Sequence, residues 1–211
     1  RSLLLTPGAT YRRLNVPGEE DLIGAGIHFC ATCDGPFYKG QELLVVGGGN
    51  SGVEEGLFLT KFATKVTILE VGERLRASQI FQEKSASHSQ IEVRLNTTVV
   101  EFKGDGKLSS VVIKNTASGE TEEITPGAVF VFIGLLPNTA FVKGSVDLDQ
   151  WGSISTSPTM ETSLEGVFAA GDARSGSTKQ VASAVGEGAT AALMIRQYLE
   201  RTQGSRAYKG D

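Results

Sequence analysis

The 211-residue chain has little of what most often fixes a small protein's chemistry: two cysteines, two histidines and one tryptophan. Two cysteines cannot make a disulfide scaffold, so a reducing interior, the cytoplasm, is the expected setting. A structural zinc site wants four ligands, and His28 and His88 are the only other soft ones, badly spaced for a finger; no metal is expected. Long hydrophobic runs are missing too, since every apolar stretch is short and broken by glycine or charge, which argues against a membrane span. There is no basic cluster, and the net charge of -4 argues against a nucleic-acid partner. The N-terminus lacks the layout of a secretory signal. It opens at Arg1, without Met, directly into an apolar run, and the expectation is that something upstream has been removed.

What is present reads as an ordinary globular protein: 40% hydrophobic and 21% charged residues, enough for one large domain or two small ones. The 26 glycines fall in clusters. Both cysteines lie in Phe29-Cys30-Ala31-Thr32-Cys33-Asp34-Gly35-Pro36-Phe37. Two thiols with two residues between them serve redox exchange or half of a metal site, or stand as an inert reduced pair. The ligand count favours the redox pair.

Leu43-Leu44-Val45-Val46 is a β-branched apolar run that ends in Gly47-Gly48-Gly49-Asn50-Ser51-Gly52, followed by apolar or small residues at helical spacing and a second strand, Lys65 to Glu70. Strand, glycine-rich turn, helix, strand and acid together give G-x-G-x-x-G its weight as a dinucleotide site. Gly47 permits the tight turn, Gly49 lets backbone approach a pyrophosphate, and Gly52 allows close helix packing. The helix N-terminus offers unpaired N–H groups to phosphate. Glu70, 23 residues after Gly47, is placed to accept from a ribose 2′-OH and would repel a 2′-phosphate, which favours NADH over NADPH. Arg74 and Arg76 could still reach a phosphate, or be solvated surface. A glycine-rich turn that binds nothing is the plainer alternative.

Further on, a polar helix is expected over Gln79–Ser89, then a strand at Ile91–Arg94 and three more (97–102, 108–113, 120–124) as an antiparallel meander inserted in the sheet. Ala128 to Gly134 reads as a buried strand. Val167 to Asp172 is a strand ending on Gly171-Asp172, where an α/β sheet binds sugar hydroxyls. A helix from Lys179 to Leu199 would bury Ala182, Val185, Ala189, Ala192, Leu193 and Ile195. Arg13–Glu20 reads as a segment crossing between domains.

Cys30-Ala31-Thr32-Cys33-Asp34-Gly35 followed by Gly47–Glu55, with Val167–Asp172, Lys179-Gln180 and a Gly/Ala-rich helix, resembles the low-molecular-weight thioredoxin reductases, flavoprotein pyridine nucleotide-disulfide oxidoreductases. The match runs from about Leu3 to about Leu199. The resemblance implies an enzyme in which hydride passes from NAD(P)H to FAD, electrons pass on to the Cys30–Cys33 disulfide, and dithiol exchange reduces a thioredoxin-like partner. Cys33 would face the flavin, Cys30 would attack the partner, and Asp34 would protonate the thiolate; from the residues alone, Asp34 as a turn cap is the alternative. Gly171 and Asp172 would hold the ribityl chain and pyrophosphate, and Gln180 would meet the isoalloxazine, flanked by Lys179 and Val181. Gly47, Gly49, Asn50, Ser51, Gly52, Glu70, Arg76 and Gly134 make up the NAD(P) set.

Where NADPH-type members carry His-Arg-Arg, this chain has Glu70-Val71-Gly72, with Arg76 retained. The family's first FAD fingerprint is missing, so on the order of a hundred residues are expected upstream. The fold class is α/β: a Rossmann-like NAD(P) domain over 14–152, part of an FAD domain from 1–13 and 153–200, and a tail at 201–211. One cysteine pair cannot sit beside flavin and meet a protein substrate at once, so a domain rotation is implied, and the family is usually a homodimer. Two other readings stay open: a flavoprotein reductase of a peroxiredoxin system, whose members usually have Pro-His between the cysteines, and a non-catalytic nucleotide-binding fragment.

Overall fold

The computed structural model describes residues 1–207, with side chains through Thr202. In chain order the elements are β1 (Leu3–Leu5), β2 (Ala9–Tyr11), α1 (Glu19–Leu22), β3 (Ile27–His28), α2 (Ala31–Asp34), a 3-10 turn (Gly35–Tyr38), β4 (Glu42–Val46), α3 (Asn50–Leu59), β5 (Lys65–Leu69), α4 (Gln79–Ser87) and β6 (Ile91–Arg94). Then come β7 (Thr97–Gly104), β8 (Leu108–Asn115), β9 (Thr121–Ile124), β10 (Ala128–Val131), β11 (Leu135–Pro137), a 3-10 turn (Ala140–Val142), β12 (Val167–Ala169) and α5 (Val181–Ala207). The chain divides into two compact units, one of Arg12–Gly134 and one of Arg1–Tyr11 with Leu135–Asp211.

The first unit is built on a five-stranded parallel sheet in the order β3-β10-β4-β5-β6. Successive side chains on a strand point to opposite faces, and a parallel sheet has both faces covered. β4 shows both rules. Leu43 and Val45 point to one face, where they pack with Val66, Ile68, Ala128 and Phe130 of the sheet under Leu59 of α3. Leu44 and Val46 point to the other, where they meet Leu69, Val129 and Val131 and are covered by Val99, Phe102, Leu108, Val111 and Ile113. That second cover is the β7-β8-β9 meander. It is antiparallel as expected, but it is a separate three-stranded sheet laid over the parallel one rather than an insertion in it. Arg13–Glu20 does not cross between units: the carboxylate of Glu19 accepts the N–H groups of Leu14 and Asn15, and Pro17 O accepts Phe102 N–H at 2.9 Å.

In the second unit β1 pairs in parallel with β12, and β2 pairs antiparallel with β11. The division falls at Gly134–Leu135, some way before the Gly152 expected from sequence, because Leu135–Pro137 already pairs with β2. Two small cores follow, one around Leu5, Ile154 and Ala169, the other around Phe168, Ala170 and Ala191. α5 buries a different face from the one expected: Ala191 is buried, with Met194, Ile195 and Tyr198 packed beside it, while Ala182, Val185, Ala189, Ala192 and Leu193 are exposed. Of the expected tail, residues 201–207 continue this helix and 208–211 lie outside the described residues. No helix among the described residues is long and apolar enough to cross a membrane.

Phe130 is fully buried in the α3-side core. Its replacement by Ala is expected to cost about 3–5 kcal/mol of unfolding free energy in urea, whereas Trp151→Ala, at a ring 72% exposed, should stay within about 0.5 kcal/mol.

Candidate functional site

The turn after β4 is shaped by three glycines that do different things. Gly47 has φ +123°, and a Cβ there would lie 2.3 Å from Phe132 O. At Gly52 a Cβ would fall 1.8 Å from Gly47 O, so α3 starts against the turn's own backbone. A Cβ on Gly49 would meet nothing within 4 Å, which leaves the backbone there open to an incoming group. Asn50 and Ser51 are exposed at the start of α3, and Asn50 Oδ1 accepts Ser78 N–H at 2.7 Å, tying this helix to the start of α4. Gly134, with φ +119°, accepts Arg12 N–H at 3.0 Å and lies against the Arg12 side chain.

Glu70 follows β5 and is 1% exposed. Its Oε2 accepts Gly48 N–H at 2.9 Å and its Oε1 accepts Gly72 N–H at 2.9 Å, with Arg76 Nη2 3.5 Å from Oε2. The carboxylate expected to await a ribose hydroxyl is thus already a clamp on the glycine turn. Arg76 is largely solvent-exposed apart from that contact, and Arg74 is exposed.

The cysteine segment grows out of β3. Cys30 is the N-cap of α2 and is joined to Cys33 as a disulfide. Cys30 Sγ accepts Cys33 N–H at 3.1 Å. Cys33 is exposed and Cys30 partly so, while Ala31 between them is buried in the α3-side core and anchors the turn. Asp34 makes no capping hydrogen bond; its Oδ2 lies 3.5 Å from His28 Nδ1. His28 Nε2 in turn is 2.6 Å from the Tyr38 hydroxyl. Burial holds the His28 pKa below its ordinary value despite the pull of Asp34, and burial together with Asp34 raises that of Tyr38. Neither His28 nor Tyr38 was assigned a part from sequence. The available signal was a histidine on a short strand two residues before the first cysteine.

In the other unit, the chain leaves β12 through Gly171, with φ +79°, into Asp172. Among the described residues, Asp172 Oδ1 is a buried oxygen with no hydrogen-bond partner. Lys179, at φ +58°, donates its ammonium to the carbonyls of Asp172 and Arg174, and burial lowers its pKa. Gln180 and Val181 are exposed at the start of α5. The loop is held by a pair that sequence reading missed: Glu187 accepts Gly171 N–H at 2.8 Å and is bridged by Arg174 at 2.6 and 3.1 Å. A lone acid in the Gly186-Glu187-Gly188 stretch of an otherwise apolar helix was the visible sign.

A family profile described as pyridine nucleotide-disulphide oxidoreductase matches residues 1–188. The chain belongs to that family. Among relatives, this oxidoreductase chain is 42% identical over 204 residues to the thioredoxin reductase of Bacillus subtilis, with 96% of this chain and 65% of that protein covered. It is 44% identical over 203 residues to an alkyl hydroperoxide reductase of Pseudomonas aeruginosa, with 96% and 39% covered. The crystal structure of thioredoxin reductase from Streptococcus pyogenes MGAS5005 matches with a TM-score of 0.91 at 40% identity, over 95% of this chain and 66% of that one. The chain therefore spans 65% of the length of its Bacillus relative.

Arg174 holds the Glu187 carboxyl below its ordinary pKa, with the Gly171 N–H adding to the effect. A carboxylate depressed in the folded state contributes stability that is present above its unfolded pKa, near 4.5, and is lost as pH falls through the lower folded value. Thermal unfolding from pH 6 to pH 3 should show this loss, and Glu187→Gln should flatten the acid side of the curve.

Proposed function

We propose that this chain is the nucleotide-binding and disulfide-bearing part of a thioredoxin reductase, an enzyme that passes electrons from NAD(P)H through FAD and Cys30–Cys33 to thioredoxin. The observation that carries the reading is the disulfide itself. It stands at the surface, on a strand of the same parallel sheet whose central strand ends in the Gly47–Gly52 turn. A disulfide that only stapled the fold would gain nothing from such exposure, and an exposed pair next to a nucleotide-type turn suits exchange.

The residues present fit the groups this reading requires. The open backbone at Gly49 and the start of α3 suit a pyrophosphate, with Asn50 and Ser51 at its edge and Gly134 at the end of the facing strand. Asp172 Oδ1 is an acceptor in want of a hydroxyl donor, which the ribityl and sugar hydroxyls of FAD would supply, with Gly171, Lys179, Gln180 and Val181 around it. Bound FAD would carry electrons in pairs between the nicotinamide and the disulfide. For the chain's own part, Cys30 Sγ accepts an N–H, and a hydrogen bond to a thiolate lowers its pKa. Cys30 is therefore the attacking sulfur in this reading, Cys33 the one that turns to the flavin, and Asp34 the acid beside them.

Arg12–Gly134 is taken as the NAD(P) domain and the other unit as part of the FAD domain. Glu70, clamped and ionised beside the turn, disfavours a 2′-phosphate, so NADH is the preferred donor, with Arg76 only partly offsetting it. The whole enzyme is placed in the cytoplasm as a homodimer, on the resemblance. The thioredoxin assignment is preferred over a peroxiredoxin-system reductase because Ala31-Thr32, not Pro-His, separates the cysteines.

Two experiments test these assignments. Thioredoxin activated as a thionitrobenzoate mixed disulfide should be captured by Cys33→Ser, with release of the coloured thiolate, and not by Cys30→Ser; the reverse pattern would exchange the two roles, and no capture by either would refute the disulfide reading. Titration of the chain with NADH and NADPH should show tighter binding of NADH, and Glu70→Gln should improve NADPH relative to NADH about fivefold, the equivalent of about 1 kcal/mol.

A further inference from the structure

We propose that His28 is a positioning residue for Asp34, holding that carboxylate, with Tyr38, in place to exchange a proton with the Cys30–Cys33 pair. The inference rests on the disulfide-exchange reading and deepens it. His28 is 8% exposed, on an edge strand, with its ring among Tyr38 and Phe130, at centroid distances of 5.2 and 5.5 Å. Such a polar ring in an apolar setting needs its nitrogens partnered. One faces the Tyr38 hydroxyl at 2.6 Å and the other faces Asp34 at 3.5 Å, and Asp34 directly follows Cys33 on α2.

The direction of the chain of contacts follows from the protonation states. Tyr38 keeps its proton, because burial and Asp34 both oppose the phenolate. His28 is neutral at pH 7, because burial outweighs the attraction of Asp34. The phenol then donates to Nε2, which leaves the imidazole hydrogen on Nδ1, aimed at the carboxylate. Among the described residues the titratable groups facing the ring are Asp34 from α2 and Tyr38 from the 3-10 turn, while β10 offers only the Phe130 ring. The Nδ1–H fixes the carboxylate's rotamer and favours its ionised form. Without it, Asp34 would titrate at higher pH and swing more freely.

The test uses the whole chain and dithiothreitol as reductant. A dithiothreitol thiolate attacks one sulfur of the Cys30–Cys33 bond, forming a mixed disulfide as that bond breaks, and the departing thiolate takes its proton from Asp34. The second dithiothreitol thiol then displaces the remaining cysteine, so the pair gains two electrons and two protons and cyclic oxidised dithiothreitol leaves. The rate is followed by thiol alkylation and mass measurement from pH 5 to 9, corrected for the thiolate fraction of dithiothreitol. His28→Leu should slow reduction about tenfold at pH 7, a fraction of what a general acid contributes, and move the inflection to higher pH. His28→Asn, which keeps a donor near the Nδ1 position, should restore most of both. Tyr38→Phe, which leaves the packing intact, should shift the inflection the same way by less and serves if His28→Leu does not fold.

In an Asp34→Asn background, His28→Leu should have no further effect. An equal slowing in both backgrounds, or an unchanged pH profile in His28→Leu and Tyr38→Phe, would overturn the role of His28. If Asp34→Asn alone left the rate unchanged, the acid assigned to the exchange reaction would be wrong and this inference would fall with it. A pair that dithiothreitol reduced normally but that captured no thioredoxin would count against the partner and leave His28 standing.

Discussion

A parallel sheet buried on both faces must find two covers, and in the Arg12–Gly134 unit the covers are of different kinds. α3 lies on one side and the β7-β8-β9 sheet on the other, so β4, with Leu43 and Val45 turned one way and Leu44 and Val46 the other, is apolar throughout. The glycine turn exists because α3 must start immediately after β4 and lie down on it. The 1.8 Å that would separate a Gly52 side chain from Gly47 O shows how little room that leaves. The same sheet carries the cysteines, since β3 pairs with β10, and β10 with β4.

Charges around the turn are used to hold backbone. Glu70 places both oxygens on N–H groups of the loops flanking it, and Glu187 does the same for Gly171 while pairing with Arg174. Charge-assisted hydrogen bonds to N–H groups are stronger than neutral ones, and buried carboxylates are tolerated where they are so satisfied. In each unit an acid distant in sequence therefore fixes the loop on which a cofactor role is proposed. Asp172 is different: it keeps a buried oxygen unpaired, the pattern expected of a group whose partner is a ligand.

Much of this was legible in the sequence where two signals agreed. The apolar run Leu43–Val46, the glycine spacing and the helical pattern after it all demanded the same β4-turn-α3-β5 arrangement, and the structure has it. Where one signal stood alone, it misled. α5 has Ala or Gly on every side, so helical periodicity could not separate Ala191, which is buried, from Ala189 and Ala192, which are not. The meander's alternation revealed antiparallel strands without saying which sheet they would join. The boundary at Gly134 was hidden because Leu135–Pro137 pairs with β2 across more than a hundred residues of chain. The His28–Tyr38 contact could not be read at all, since ten residues and two turns separate the partners.

Phe130 touches His28 and Tyr38 with its ring while it fills the core beneath α3. The sulfur-bearing loop is thereby mounted on the same rigid framework as the glycine turn, through one shared aromatic. A designer wishing to move this disulfide chemistry elsewhere would have to lift the whole framework as a cassette, because grafting the cysteine loop by itself would leave its histidine without a wall to lean on.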